Sequence, residues 1–246
     1  PFAPAATNRR CGGAGLDTAG RRAETIVTPR DVPLPAHRAF LLDGVTGILL
    51  AGGRSSRFGS DKLAVDLDGR PLLHHAIEAV ATVASRIVVV AAPGVEPPIP
   101  GELATRVRVV HDPEPFGGPL VGLVAALANV ETPTALVAGG DMPRMVPAVL
   151  HRLVVTVGPG RGAAVLEVPG RLQPLPMALD ARVARAVAVE ILDRGGRSLR
   201  DLLRDLVVAS IPAPVWLSLD PVAATIADID RPADLRGTDG PRRDPT

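Results

Sequence analysis

The chain has 246 residues, 46% of them hydrophobic, and 27 Lys and Arg against 26 Asp and Glu leave a net charge of +1. That balance, with one Trp, four Phe and no Tyr, gives neither the basic face nor the aromatic stacking platforms of a nucleic-acid binder. A single cysteine, Cys11, rules out an internal disulfide or a multi-thiolate metal site and points to a reducing compartment, so a cytoplasmic location is expected.

Residues 1–43 are rich in Pro, Ala, Arg and Gly without periodicity and read as a disordered N-terminal extension. A plain tail, a transit-like segment and an artefact of the gene start all fit that composition. An ordered domain is expected over 44–236, followed by a polar tail at 237–246. VTGILLA (45–51) is a continuous apolar run closed by glycines, the pattern of a buried strand. LAVDLDGRP carries a short alternating stub with an Asp-Gly turn. Pro71 then opens a helix through LLHHAIEAVATV, where adjacent His74 and His75 fall at the boundary of its apolar face. RIVVVAA (86–92) is a second buried strand, VEPPIPGE a proline-rich surface loop, and RVRVVHD (106–112) a third strand.

GGPLVGLVAALANV (117–130) reads as a helix entered through glycine, and TALVAGGD (134–141) as a fourth strand ending in a carboxylate. Helical spacing returns in VPAVLHRLVVTV. A hairpin follows around Pro169-Gly170, then helical patterns in ARVARAVAVEILDRG and RSLRDLLRDLV. VVASIPA and TIADIDRPADL complete the domain. No run reaches the roughly 18 apolar residues of a membrane span. Strands alternating with helices predict an α/β fold, a single doubly wound, mostly parallel sheet with helices on both faces. In such a sheet the turns after Ala51, Asp112 and Asp141 share one crevice.

The segment LLAGGRSSRFGSDK (49–62) fits neither the Walker A spacing nor the dinucleotide fingerprint. It still offers glycine-exposed backbone N–H groups, Arg54, Arg57 and the mobile charge of Lys62, a set suited to an anion. A solvated surface loop would have the same composition. Asp141, at the end of a buried strand, is placed to hold Mg²⁺ together with substrate phosphates, although Asp-x-Pro also initiates turns. The cluster ADID (227–230) adds Asp230 as a second metal candidate, with N-capping of the following turn as its alternative use. The five histidines lack the spacing of a zinc site. Together the pieces suggest metal-assisted displacement at phosphorus, in which an anionic phosphate nucleophile needs no general base.

LAGGRSSRFGSDK (50–62) resembles the signature of nucleotidyltransferases of the molybdenum cofactor guanylyltransferase type, with Phe58 in place of the usual Met. The resemblance continues through DGRPLL, HDPEPFGGPLVGL, GGDMP, LQPLPMAL, GGRSL and DIDRPADL, covering roughly residues 45–236. It implies a Mg²⁺-dependent enzyme that transfers GMP from GTP to the phosphate of molybdopterin cofactor and releases pyrophosphate. By motif, Leu50, Ala51, Gly52, Gly53 and Arg57 would line the nucleotide and Lys62 would contact the triphosphate. Asp112 would meet the guanosine, Asp141 would hold the metal, and Lys62 with Asp141 would carry catalysis. The pterin is expected near Gln173-Pro174 and the GGRSL turn, and transient contact with cofactor-delivering or molybdoenzyme-maturation proteins is expected. Three positions depart from the family: AAPG lacks the asparagine after the second strand, Arg144 replaces an aromatic, and Asp230 replaces Asn. The last pattern is closer to relatives that transfer CMP. A cytidylyltransferase of the same cofactor, a transferase with another phosphorylated acceptor, and a non-catalytic nucleotide-binding module are therefore the competing readings.

Overall fold

Strands that are apolar on both faces need helices above and below them, and the structure supplies both layers. The computed structural model describes residues 41–52, 62–113, 117–158 and 160–236. Its main sheet has seven strands in the order β5-β4-β1-β6-β8-β7-β9. These are β1 (Leu42–Leu50), β4 (Ala84–Ala91), β5 (Val107–His111), β6 (Thr134–Gly139), β7 (Ala163–Val168), β8 (Arg171–Asp180) and β9 (Val208–Ile211). The short strands β2 (Asp66–Leu67) and β3 (Arg70–Pro71) form a separate antiparallel pair at the predicted Asp-Gly turn.

Alternate residues along each strand enter different cores, as the two-residue period of a strand requires. Val45, Leu49, Ile87 and Val89 pack with helices α1 (Leu72–Ala81) and α3 (Pro147–Thr156). Ile48, Val88 and Val90 pack with α2 (Pro119–Leu127), α4 (Ala181–Asp193) and α5 (Leu199–Asp205). This is the predicted doubly wound α/β arrangement. The sheet is parallel except at β8, which runs antiparallel to both β6 and β7. β8 therefore puts the predicted β7–β8 hairpin inside the main sheet rather than beside it.

Two differences from the sequence reading concern boundaries and one concerns an element. β1 starts at Leu42, three residues before the expected Val45, because Leu42 N–H donates to Val83 across a register shift. Gly44, at φ 89°, provides the backbone turn there. Helix α2 is shorter than the apolar pattern 117–130, with Gly118, at φ 96°, as its N-cap and Ala128 as its C-cap. A short helix, α6 (Ala213–Leu217), carries Trp216, which is buried and donates its indole N–H to the Glu167 carbonyl. Five residues give too little periodicity to announce it. Among the described residues no helix is long and apolar enough to cross a membrane.

Candidate active site

β1 pairs with β4 on one side and β6 on the other, so the loops leaving β1 and β6 part at the point where α/β sheets place ligands. The ladder continues one step past each strand: Ala51 N–H donates to Val90, Gly140 N–H to Leu50 and Asp112 N–H to Ala91. These bonds fix the backbone of three turns along one edge. Close packing there explains the glycines. A Cβ on Gly140 would lie 3.4 Å from Ala51 Cα and 3.1 Å from Leu73 Cδ1, and one on Gly139 would lie 2.5 Å from Asp141 Oδ1. The Asp112 carboxylate sits beside Gly52 and Gly122, with Oδ2 3.9 and 3.5 Å from where their Cβ atoms would be.

Lys62 enters from a single turn of 3₁₀ helix, Lys62–Ala64, and is 9% exposed. Its Nζ donates to Asp141 Oδ2 and to Asp230 Oδ1, both at 2.9 Å. Burial opposes the ammonium charge, but the hydrogen bonds and charges of Asp141 and Asp230 outweigh it, and the lysine pKa is raised above 10.5. Asp230 arrives with the C-terminal segment, where buried Ile229 packs with Leu67 and Leu72 and donates its N–H to the Asp141 carbonyl. Asp228 belongs to the same group: burial first, then the charges of Asp230 and Asp141, raise its carboxyl above 3.8. The sequence reading named the ADID cluster but did not assign Asp228. Its signal was the Asp-x-Asp spacing, which lets two carboxylates flank a buried Ile229.

The structure thus brings Lys62, Asp141 and Asp230 into contact, with Leu50, Ala51, Gly52 and Asp112 along the same edge. Gly53 and Arg57 lie outside the described residues, so their expected contacts are not described. Asp234 accepts from the Asp230 and Arg231 N–H groups, and Asp230 Oδ1 faces Lys62. The GGRSL turn meets the entry of α2: Leu120 N–H donates to the Arg197 carbonyl, and a Cβ on Gly118 would lie 2.8 Å from that oxygen. β8 pairs with β6 from Asp180 only to Met177, so Gln173 and Pro174 continue past the crevice end of β6. Gln173 Oε1 is buried there without a hydrogen-bond partner among the described residues.

For a divalent cation the donor chemistry fits. Two carboxylates converge on one ammonium, which stands where a cation between them would stand. Among the described residues no group of three His, Cys, Asp or Glu could hold a metal. A two-carboxylate site needs further oxygens from substrate phosphates and water, which is the usual manner of Mg²⁺.

Residues 47–209 match the model of the MobA-like NTP transferase domain. A protein of Chloroflexus aggregans named "Probable molybdenum cofactor guanylyltransferase" is 33% identical over 198 residues, covering 78% of this chain and 92% of that protein. A "Molybdenum cofactor guanylyltransferase" of Xanthomonas euvesicatoria is 35% identical over 163 residues, covering 65% of this chain and 79% of its own. Among solved structures, molybdopterin-guanine dinucleotide biosynthesis protein A from Archaeoglobus fulgidus superposes with a TM-score of 0.63 at 23% identity, covering 78% of this chain and 95% of that one. A 2-C-methyl-D-erythritol 4-phosphate cytidylyltransferase from Thermus thermophilus gives 0.58 at 20% identity, covering 77% and 94%. At these identities the two structures show the same fold.

Proposed function

The chain belongs to the MobA-like NTP transferase family and is a nucleotidyltransferase, and from that premise we propose that it transfers GMP from GTP to the phosphate of molybdopterin cofactor. The observation that carries this reading is the Lys62–Asp141–Asp230 contact at the β1/β6 edge. In the proposed reaction a terminal phosphate oxygen of the pterin cofactor forms a new bond to the α-phosphorus of GTP. The bond from that phosphorus to the bridging oxygen of the β-phosphate breaks, and pyrophosphate leaves with the electron pair. The nucleophile is already an anion, so no side chain has to remove a proton.

What the protein supplies is charge placement, commonly the largest catalytic contribution. Asp141 and Asp230 would hold Mg²⁺, which supplies neutralisation of triphosphate oxygens when bound. Lys62, displaced from the two carboxylates, would turn its point charge to the phosphates. Asp112, an acceptor-only carboxylate beside two glycines, suits a base edge with adjacent N–H donors, as the N1–H and N2–H edge of guanine presents. Cytosine offers only one exocyclic amino group in that role. Asp230 Oδ1 lies against Lys62, within the group assigned to the cation and the triphosphate. The single cysteine suits a reaction in the reducing cytoplasm.

The test is pyrophosphate release by the purified chain with Mg²⁺, molybdopterin cofactor and each NTP in turn. Turnover with GTP at least about 10-fold above CTP is expected, the scale of one lost hydrogen-bond pairing. Turnover with CTP alone refutes the guanylyl assignment. Nucleotide binding without turnover on any acceptor refutes the reaction.

A further inference from the structure

Resting on that reading, we propose that Asp220 and Thr225 are positioning residues of the transfer site, acting through the segment that carries Asp230. The side-chain hydrogen bonds of both go to backbone N–H groups and not to Lys62, Asp141 or Asp230. They build a strap that ties the C-terminal segment to the loop bearing Asp141, and nothing in their local sequence pattern announces it.

The strap begins at Trp216, whose indole N–H is bonded to the Glu167 carbonyl in β7. Asp220 follows and is 2% exposed. Its carboxylate accepts from Ala224 N–H at 3.0 Å and Thr225 N–H at 2.7 Å, and its carbonyl accepts from Ala223 N–H at 3.0 Å. These bonds hold Ala223 at φ 55°, a left-handed conformation that a residue with a Cβ adopts only under surrounding constraint. The turn delivers Thr225, which is completely buried, to the residue before α3. Its Oγ1 accepts the Val146 N–H at 3.0 Å. Four residues later the Ile229 N–H donates to the Asp141 carbonyl at 2.9 Å.

Those two bonds grip the 141–146 loop at both ends, one at Asp141 itself and one at the first turn of α3. Asp230 is the next residue after the second grip. Its position opposite Asp141 therefore depends on a backbone fixed at Thr225 and Ile229, with Asp220 fixing Thr225. A threonine that only capped α3 would affect stability alone. Here the same hydroxyl sets the separation of the two carboxylates that would share a cation, and groups supporting metal ligands from behind typically change affinity or activity by about 10–100-fold.

The experiment compares Thr225→Val, which keeps the shape and removes the acceptor, with Thr225→Ser, which keeps the hydroxyl. Leu203→Ala is the control, since Leu203 is buried on the opposite face of the sheet. Mn²⁺ binding in the presence of a non-hydrolysable GTP analogue is read by electron paramagnetic resonance, beside kcat, KM for GTP and the urea midpoint. Thr225→Val should weaken Mn²⁺ binding and lower kcat by about 10-fold or more while KM for GTP stays within about 3-fold, and Thr225→Ser should stay near wild type. Leu203→Ala should lower the urea midpoint and leave Mn²⁺ affinity unchanged. Asp220→Asn, which replaces one acceptor oxygen with an N–H donor, should act in the same direction as Thr225→Val and serves if the valine variant does not fold.

Wild-type Mn²⁺ affinity and kcat in folded Thr225→Val overturn the proposal. An equal loss of Mn²⁺ binding in Leu203→Ala does the same. A wild-type chain that binds Mn²⁺ but transfers no GMP overturns the proposed reaction, while the Mn²⁺ comparison still decides the positioning role.

Discussion

Gly139→Ala should cost far more activity than stability. The added methyl would lie 2.5 Å from Asp141 Oδ1 and 3.2 and 3.3 Å from Cγ and Sδ of Met142. Met142 is a flexible side chain and can give by a few tenths of an ångström, but the carboxylate must retreat by about 0.5–1 Å to reach ordinary contact. The other oxygen of that carboxylate is bonded to Lys62 at 2.9 Å. A retreat of this size carries the pair to about 3.5 Å or beyond, outside a hydrogen bond.

Overpacking of this kind costs about 1–3 kcal/mol, offset in part by the roughly 0.4–1 kcal/mol a Gly→Ala change returns through the unfolded chain. The fold should therefore survive with a lowered urea midpoint. For turnover, a misplacement approaching 1 Å at a catalytic group costs about 10²-fold. Steady-state pyrophosphate release beside urea unfolding measures both quantities. Gly101→Ala, where nothing lies within 4 Å of the added methyl, is the matched control and should match wild type in both. A Gly139→Ala protein with kcat within about 3-fold of wild type would refute the reasoning, because the geometry demands a displacement on the scale that matters.

Lys62→Met should lower pyrophosphate release by about 10²–10³-fold, the usual scale for one charge-stabilising group. Its stability loss should stay below the roughly 3–5 kcal/mol of a fully buried pair, since solvent screens the half-exposed Asp230. Asp112→Asn puts an N–H donor where guanine also presents donors, and should lower kcat/KM for GTP by about 10–10²-fold while leaving CTP little changed. That comparison is read by NTP competition. His74 and His151 both have pKa values lowered from 6.5, by burial first; at His74 the charges of Glu78 and Glu102 oppose the shift without reversing it, and at His151 Arg152 adds to it. Their stability contribution is therefore complete above pH 6.5 and is lost as pH falls through their depressed values. Urea midpoints should fall below pH 6.5, and the double variant to Gln should flatten that slope.

The strands and the edge they share were legible because buried parallel strands write themselves as unbroken apolar runs. VTGILLA and TALVAGG each ended in glycines that lead into polar turns. Asp141 followed from its place at the end of such a run and Lys62 from the glycine-rich loop after the first, while the role expected of Asp112 came with the family resemblance. What sequence could not supply was pairing at a distance. Nothing local in RLQPLPMAL says that β8 lies next to β6 rather than beyond β7. The Lys62 contact with Asp230 joins residues 168 positions apart, which no spacing rule spans. Asp230 offered a local use as a cap and a distant one, and only the fold shows the distant one, with its Oδ1 against Lys62. Trp216, Asp220 and Thr225 sit in a run too irregular for a 2- or 3.6-residue period, so their roles emerge only once β7 and the 141–146 loop are beside them.

The distances along the chain within the Lys62–Asp141–Asp230 contact have a consequence for biogenesis. The ammonium comes from residue 62 and its partners from 79 and 168 residues downstream. A nascent chain that has emerged as far as residue 141 already holds Lys62 and Asp141, together with four of the seven sheet strands. It lacks the second carboxylate until residue 230 has left the ribosome. A prematurely released or proteolytically shortened product therefore cannot close the trio, however well its early strands have paired. The contact requires a chain that extends through residue 230.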